Sequence, residues 1–263
     1  MADLLVTTSY HPTVEQIGEA RRLAEYLKAE FVERCDQSVA ALRGERPGLP
    51  ILVVRRDRLI CQVGTLEFFF HPSLAKQRIA GLRKGERDPM VEAMGLRPGD
   101  RVLDCTLGLG ADAIVASYCV GPEGEVVGVE SVPVIAAIVA RGLRDFSSDL
   151  SILNEAMRRV RVVCADHLEY LRTQASDSFD IIYFDPMFTT PLYGSRPLLP
   201  LRKLADHRPL RVEAITEAGR VSPPRVVVKG KRGSMPWQEL GISRLHSGTR
   251  SRVEFGIIPA EPR

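Results

Sequence analysis

Apolar positions recur along this chain with two different periods, and the change between them divides it into two regions. Near the start, residues 4–8 form an apolar run that reads as a strand, and Thr13-Val-Glu-Gln16 is a capping-box pattern that opens a helix. Val14, Ile17, Ala20, Ala24, Leu27 and Phe31 then recur at spacings of mostly three and four, which predicts one buried helical face. Beyond the Gly/Pro-rich residues 44–50, runs at 51–54, 59–63 and 65–70 predict short antiparallel strands, and His71-Pro72-Ser73 caps a further helix. Residues 1–90 are thus expected to form a small α/β unit.

From Gly99-Asp100 onward, apolar strand-like runs alternate with helical patterns, the mark of a parallel sheet covered on both faces. Strands are predicted at 101–104, 125–130, 160–164, 179–184 and 225–229, and helices at 112–120, 134–143 and 210–220. Pro133 stands where a first-turn proline is welcome. Two last strands, 242–246 and 252–258, are joined by Ser-Gly-Thr. The pattern predicts an α/β, Rossmann-like, seven-stranded sheet with one antiparallel strand and helices on both faces, formed by residues 91–263.

Composition narrows the class without naming it. The chain has 263 residues, 44% of them hydrophobic, enough for one large domain or a main domain with a smaller one. No apolar stretch reaches the roughly 18 residues that span a bilayer, and the start lacks a signal-peptide pattern, so no membrane association and a cytoplasmic location are expected. The cysteines at 35, 61, 105, 119 and 164 are odd in number and scattered, which argues against a disulfide framework or zinc site; no metal is expected. Cys105 and Cys164, flanked by apolar strands, read as buried thiols. Net charge is only +3, but basic residues gather at 76–87, 196–211 and 225–232, and the second of these runs includes Arg202 and Lys203. Such runs suit either a solvated face or a surface that tracks phosphates.

Two elements carry candidate chemistry. Asp104-Cys-Thr-Leu-Gly108-Leu-Gly110-Ala-Asp-Ala113 follows a strand, and its glycines let a nucleotide-like cofactor lie against the backbone. Gly108 to Ala113 also fits the dinucleotide fingerprint, with Glu130 about 20 residues on. Asp104 argues otherwise, since a carboxylate there attracts the amino group of a methionine moiety and repels a pyrophosphate. The expected cofactor is S-adenosylmethionine. Glu130 can accept from ribose hydroxyls, although it can also serve as a helix cap. Asp166 can meet an adenine amino group or cap a helix, and His167 is assigned contact with the cofactor pocket.

The second element is Asp185-Pro186-Met187-Phe188, which follows a strand about 80 residues later. An exocyclic aromatic amine is a poor nucleophile, so its N–H groups must be held while nitrogen is aligned with a methyl donor. The Asp185 carboxylate and the rigid Pro186 carbonyl suit that work, and Phe188 offers a face for a flipped-out base. Residues 189–209 are long and proline-rich and are expected to form a substrate lid. Lys229, closing the fifth strand, is expected to reach substrate phosphate or Asp206.

Residues 102–113, the Asp-Pro-Met-Phe tetrapeptide, Arg225-Val-Val-Val-Lys229 and Ser251-Arg-Val-Glu-Phe255 together resemble the small-subunit ribosomal RNA methyltransferase J family of class I methyltransferases. The resemblance spans roughly residues 70–260. It implies methylation of a guanine N2 in 16S ribosomal RNA, with that RNA as partner. It also implies cofactor contacts at Ala111 and Asp112, Glu130 and Ser131, Asp166 and His167, and Asp185. Three classes stay open at this point: a guanine-N2 RNA methyltransferase, an amine methyltransferase acting on tRNA or DNA, and a noncatalytic RNA-binding protein of the same fold.

Overall fold

The computed structural model describes residues 4–44, 48–187, 199–222, 225–233, 235–247 and 251–259, and counts of elements below refer to these. Its first part contains β1 (Leu5–Thr8), α1 (Val14–Tyr26), β2 (Glu30–Phe31), α2 (Val39–Arg43), β3 (Ile51–Val54), β4 (Leu59–Val63) and β5 (Leu66–Phe69). These strands make a five-stranded sheet in the order β2-β1-β3-β4-β5. β1 lies parallel to both neighbours, and β3, β4 and β5 form the expected antiparallel series.

The helical face of α1 differs from its pattern. Val14 is 81% exposed, and the helix ends at Tyr26, so Leu27 and Phe31 lie beyond it. Gln16 is buried in their place. Its side chain accepts from the Thr13 N–H at 3.0 Å and donates to Ser9 Oγ at 3.1 Å, so capping chemistry, not apolarity, fixes the helix entrance.

Two helices, α3 (Ser73–Arg83) and α4 (Pro89–Met94), lead into the second sheet. Pro72 occupies the α3 cap position without a side-chain hydrogen bond, so His71-Pro72-Ser73 supplies no polar cap. Then follow β6 (Arg101–Asp104), α5 (Ala111–Val120), β7 (Glu125–Glu130), α6 (Pro133–Asp145), α7 (Ser151–Arg159), β8 (Val160–Cys164), α8 (His167–Thr173) and β9 (Ile181–Phe184). The rest is α9 (Leu199–Leu204), α10 (Val212–Val221), β10 (Arg225–Lys231), β11 (Arg244–His246) and β12 (Val253–Pro259). The seven strands lie in the order β11-β12-β10-β9-β6-β7-β8, and β12 runs antiparallel to both of its neighbours.

Both faces of the central strands are buried, because successive residues point to opposite sides and both sets are mostly apolar. Val102, Ile181, Tyr183 and Val227 join one apolar cluster, and Leu103, Ile182, Phe184 and Val228 join the other. The first cluster continues into the five-stranded sheet through Val6, Leu52 and Phe70. Phe70 meets Phe146 edge-on at 6.0 Å, and Arg141 on α6 pairs with Glu19 on α1. Cys105 is buried as expected, but Cys164 is exposed, because it ends β8, the edge strand of the sheet.

β7 and β8 extend the sheet from β6 in one direction, and β9 and β10 extend it in the other. The order therefore reverses between β6 and β9, and a crevice opens beyond their carboxyl ends. Asp104 and Asp185 stand at its two sides.

Candidate active site

The turn after β6 is held from three sides. Its Leu107 N–H donates to the Val129 carbonyl at 2.9 Å, its Gly108 N–H to Glu130 Oε2 at 3.1 Å, and its Thr106 N–H to Asp104 Oδ1 at 3.0 Å. Gly108 and Gly110 have φ of 50° and 75°, values that side chains resist, so glycine at both positions allows the sharp entry into α5. Thr106 Oγ1 accepts the Asp185 N–H at 2.5 Å and so ties this loop to the end of β9.

A cavity lies along these strand ends. Thr106 and Gly108 line it from the glycine loop, Glu130, Ser131 and His167 from the ends of β7 and β8, and Asp185, Pro186 and Met187 from the end of β9. Leu201, Ala205, Asp206, Arg208 and Leu210 close it. The expected lid region therefore contains a helix, α9, with Leu201 only 5% exposed, where the proline content had suggested irregular chain. Phe188 and residues 189–198 lie outside the described residues.

Glu130 is the joint between the two sides. Oε1 accepts from the Val132 N–H at 2.9 Å, and Oε2 holds Gly108. It holds the residue that opens α6 and fixes the glycine loop at once, and each oxygen retains a lone pair for a hydroxyl. Burial pushes its carboxyl above the usual range, while the N–H groups of Val132 and Gly108 pull it back.

Asp166 Oδ1 caps α8 through the Leu168 and Glu169 N–H groups at 2.9 and 3.3 Å. Its Oδ2 accepts from Arg208 at 2.8 Å. Arg208 also grips Asp206 at 2.8 Å, and Asp206 accepts from the Ser131 hydroxyl at 3.2 Å. Arg208 thus clasps the segment after α9 to the ends of β7 and β8. Burial keeps the His167 imidazole below its usual pKa, and its ring meets Phe184 edge-on at 5.7 Å.

On the other side of Asp185 lies a half-buried ionic chain that sequence reasoning missed. Asp88 accepts two hydrogen bonds from Arg78, at 2.7 and 2.9 Å, and Arg78 also donates to Asp112. Asp112 Oδ2 accepts from Tyr183 Oη at 2.8 Å and from Lys229 Nζ at 3.1 Å, and Lys229 reaches Asp185 Oδ2 at 2.7 Å. Burial opposes the charge on Asp112, but Lys229 and Arg78 hold it well below the carboxylate range. Lys229 is itself held above the lysine range by Asp112 and Asp185. Asp104, 2% exposed, is pushed up to about 8 by burial and by the charges of Asp112 and Asp185.

These contacts revise several expectations. Lys229 is turned inward to Asp112 and Asp185, and Asp206 belongs to Ser131 and Arg208. The Asp112 carboxylate is committed to Arg78, Tyr183 and Lys229, and neither Ala111 nor Asp112 lines the cavity at the strand ends. Arg202 and Lys203 sit in the last turn of α9, outside the cavity lining. The basic runs are partly spent internally: Arg78 is half-buried in the ionic chain, Arg87 pairs with Glu92, and Arg225 donates to the Ala93 carbonyl. Arg83, Lys84, Lys203 and Arg211 are exposed. The Arg78 to Asp112 pairing left no local signal, since its members are 34 residues apart.

Of the charged side chains that line the cavity, Glu130, Asp185 and Asp206 outnumber Arg208, so full ionisation would leave surplus negative charge along it. Such a site favours a cationic ligand, and a sulfonium carrying an ammonium group fits that demand. The sheet order, the glycine loop and the acids at successive strand ends define a class I S-adenosylmethionine-dependent methyltransferase. Residues 54–195 match the SAM-dependent methyltransferase family SAM_MT, and the chain belongs to this family. It is 37% identical over 262 residues to protein YpiP of Bacillus subtilis (strain 168), covering 98% of this chain and 100% of that one. It is 31% identical over 199 residues to ribosomal RNA small subunit methyltransferase J of Dechloromonas aromatica (strain RCB), covering 73% of this chain and 77% of that one. The crystal structure of the SAM-dependent methyltransferase NGO1261 from Neisseria gonorrhoeae shares the fold, with a TM-score of 0.65 at 18% identity over 97% of this chain and 95% of that one.

Proposed function

We propose that this enzyme methylates an exocyclic amine of a nucleobase in RNA, with guanine N2 of small-subunit ribosomal RNA as its target. The observation that carries the reading is the end of β9, where Asp185 and Pro186 line the cavity facing the glycine loop. The ribosomal RNA substrate named for the methyltransferase J relative supports the choice of polymer. Bound S-adenosylmethionine supplies an electrophilic methyl group on sulfur. Gly108, Gly110, Ala111 and the Asp112 backbone, with Asp104, Glu130, Ser131, Asp166 and His167, are proposed to hold it.

In this reading Asp185 and the Pro186 carbonyl each accept an N–H of the target amine, which turns the nitrogen lone pair toward the donor. As the N–C bond forms and the methyl–sulfur bond breaks, nitrogen must lose one proton, which in this reading Asp185 accepts. Phe188 is proposed to stack on the base. Exposed Arg83, Lys84, Lys203 and Arg211 are proposed to meet RNA phosphates, with residues 1–90 as the unit that helps to seat the RNA and residues 91–263 as the methyltransferase domain.

Transfer of labelled methyl from S-adenosylmethionine to purified ribosomal RNA, tRNA and duplex DNA tests the reading. Label in small-subunit RNA alone, lost in Asp185→Ala, is expected. Label in tRNA or DNA would redirect the substrate, and binding without transfer to any of the three would contradict the enzyme reading.

A further inference from the structure

We propose that Lys229 is a positioning residue that, shared between Asp112 and Asp185, fixes the orientation and charge of the Asp185 carboxylate that meets the target amine. The inference rests on the role given to Asp185 above.

The geometry begins in the sheet. β9 and β10 are parallel, with Val227 opposite Tyr183 and Val228 opposite Phe184. One residue further, Lys229 and Asp185 stand side by side. Strand alternation sends both to the face of Tyr183 and Val227, toward α5 and α3. There Lys229 Nζ lies 2.7 Å from Asp185 Oδ2 and 3.1 Å from Asp112 Oδ2. Among the described residues, Asp185 Oδ1 has no hydrogen-bond partner, so Lys229 anchors one oxygen and leaves the other for substrate.

Asp112 is braced in turn. Tyr183 donates to it, and Arg78 bridges it to Asp88 at the start of α4. Because Asp112 cannot turn away, Lys229 has a fixed second acceptor and cannot follow Asp185 if that carboxylate rotates. The ion pair also separates two cavities. Asp185 lines the cofactor-side one, and Lys229, Asp112, Arg78 and Asp88 line a second of about 510 Å³, walled by Leu74, Met90, Val253 and Phe255.

The charged and titratable groups facing Asp185 are Lys229 on β10, Asp112 on α5, Arg78 on α3, Tyr183 on β9 and Asp104 on β6. Burial pushes the Asp185 carboxyl above its usual range, Lys229 favours the carboxylate and Asp112 opposes it. Removing one or the other should therefore move Asp185 in opposite directions, a signature that mere packing does not produce.

Carboxyl-carbon NMR titration of the cofactor-free protein, with Asp185 assigned through Asp185→Asn, reads this directly. Asp185 is expected to titrate at higher pH in Lys229→Met and at lower pH in Asp112→Asn. Asp112→Asn keeps the side-chain shape and relieves negative charge, so it serves if Lys229→Met fails to fold. In methyl transfer to ribosomal RNA from cells lacking the protein, Lys229→Met should lower kcat about 100-fold, a loss typical of misplacing a proton-accepting group. Its acid limb should move to higher pH, with KM for RNA little changed. Lys229→Arg should restore the position of that limb. An Asp185 titration unmoved in Asp112→Asn, or a folded Lys229→Met with the wild-type kcat and pH limb, overturns the inference. Failure of the wild type to methylate any RNA would instead count against the function proposed above, while the titrations would still decide the role of Lys229.

Discussion

Glu130 Oε2 accepts the Gly108 N–H at 3.1 Å while Oε1 of the same carboxylate accepts from Val132 at 2.9 Å, so one side chain joins the glycine loop, the end of β7 and the start of α6. A residue placed to meet a ribose is therefore also the strut that shapes the loop beneath it. Glu130→Ala leaves two N–H groups unpaired, at a cost of about 1–3 kcal/mol each if water does not reach them. The expected outcome is at least a roughly tenfold loss of S-adenosylmethionine affinity by calorimetry, together with a lower Tm. Glu130→Gln, which keeps an acceptor oxygen, should recover part of both.

Arg208 has the opposite balance. Its side chain is 64% exposed, and exposed ion pairs contribute about 0–1 kcal/mol, so Arg208→Ala should barely change Tm. Because Arg208 fastens the segment after α9 to Asp166, its loss should appear in kinetics. Stopped-flow measurements are expected to show faster release of S-adenosylmethionine from Arg208→Ala, and added salt should accelerate release from the wild type more than from the variant.

Asp104 makes the pH dependence testable in sign. Its folded pKa of about 8 lies above the roughly 3.9 of an unfolded aspartate, so between these values the folded chain binds more protons than the unfolded one. Its contribution to stability is complete below about pH 4 and is lost as pH rises through about 8. Asp206, lowered to about 2, acts oppositely and loses its contribution as pH falls below the ordinary aspartate range. Asp104→Asn should therefore raise Tm at pH 8 more than at pH 5. If the ionised Asp104 faces the ammonium group of the cofactor, binding should release a proton near pH 7. Calorimetry in buffers of different ionisation enthalpy measures that release, which should vanish in Asp104→Asn.

Gly142 tests the join between the two sheets. A methyl group there would fall on the base and ring of Phe70, which is 6% exposed and cannot swing clear. Overpacking costs typically about 1–3 kcal/mol, more than the roughly 1 kcal/mol that alanine gains over glycine in a helix. Gly142→Ala should lower Tm by a few degrees, and Gly142→Ala with Phe70→Leu should recover part of the loss.

The sequence carried the seven-stranded frame because alternating apolar runs and glycine turns are local signals. β6 to β10 and both terminal strands fall within a few residues of their expected bounds. The site was legible at strand ends, where Asp104, Glu130 and Asp185 announce themselves by position. What stayed hidden depends on long-range register. Arg78 reads as one more cation in a basic run, and only the packing of α3 against α5 turns it toward Asp112. Lys229 was expected to reach substrate phosphate or Asp206, and only the register of β10 against β9 sets it beside Asp185. α9 was concealed by Pro200, which sits in its first turn, where a proline does no harm.

Nucleoside mass spectrometry of small-subunit ribosomal RNA, from cells lacking this protein and from the same cells supplied with the wild type or Asp185→Ala, tests the central claim most directly. The expected result is one N2-methylguanosine absent from the deletion strain, restored by the wild type and not by Asp185→Ala. An unchanged set of methylated nucleosides in the deletion strain, or full restoration by Asp185→Ala, would contradict it.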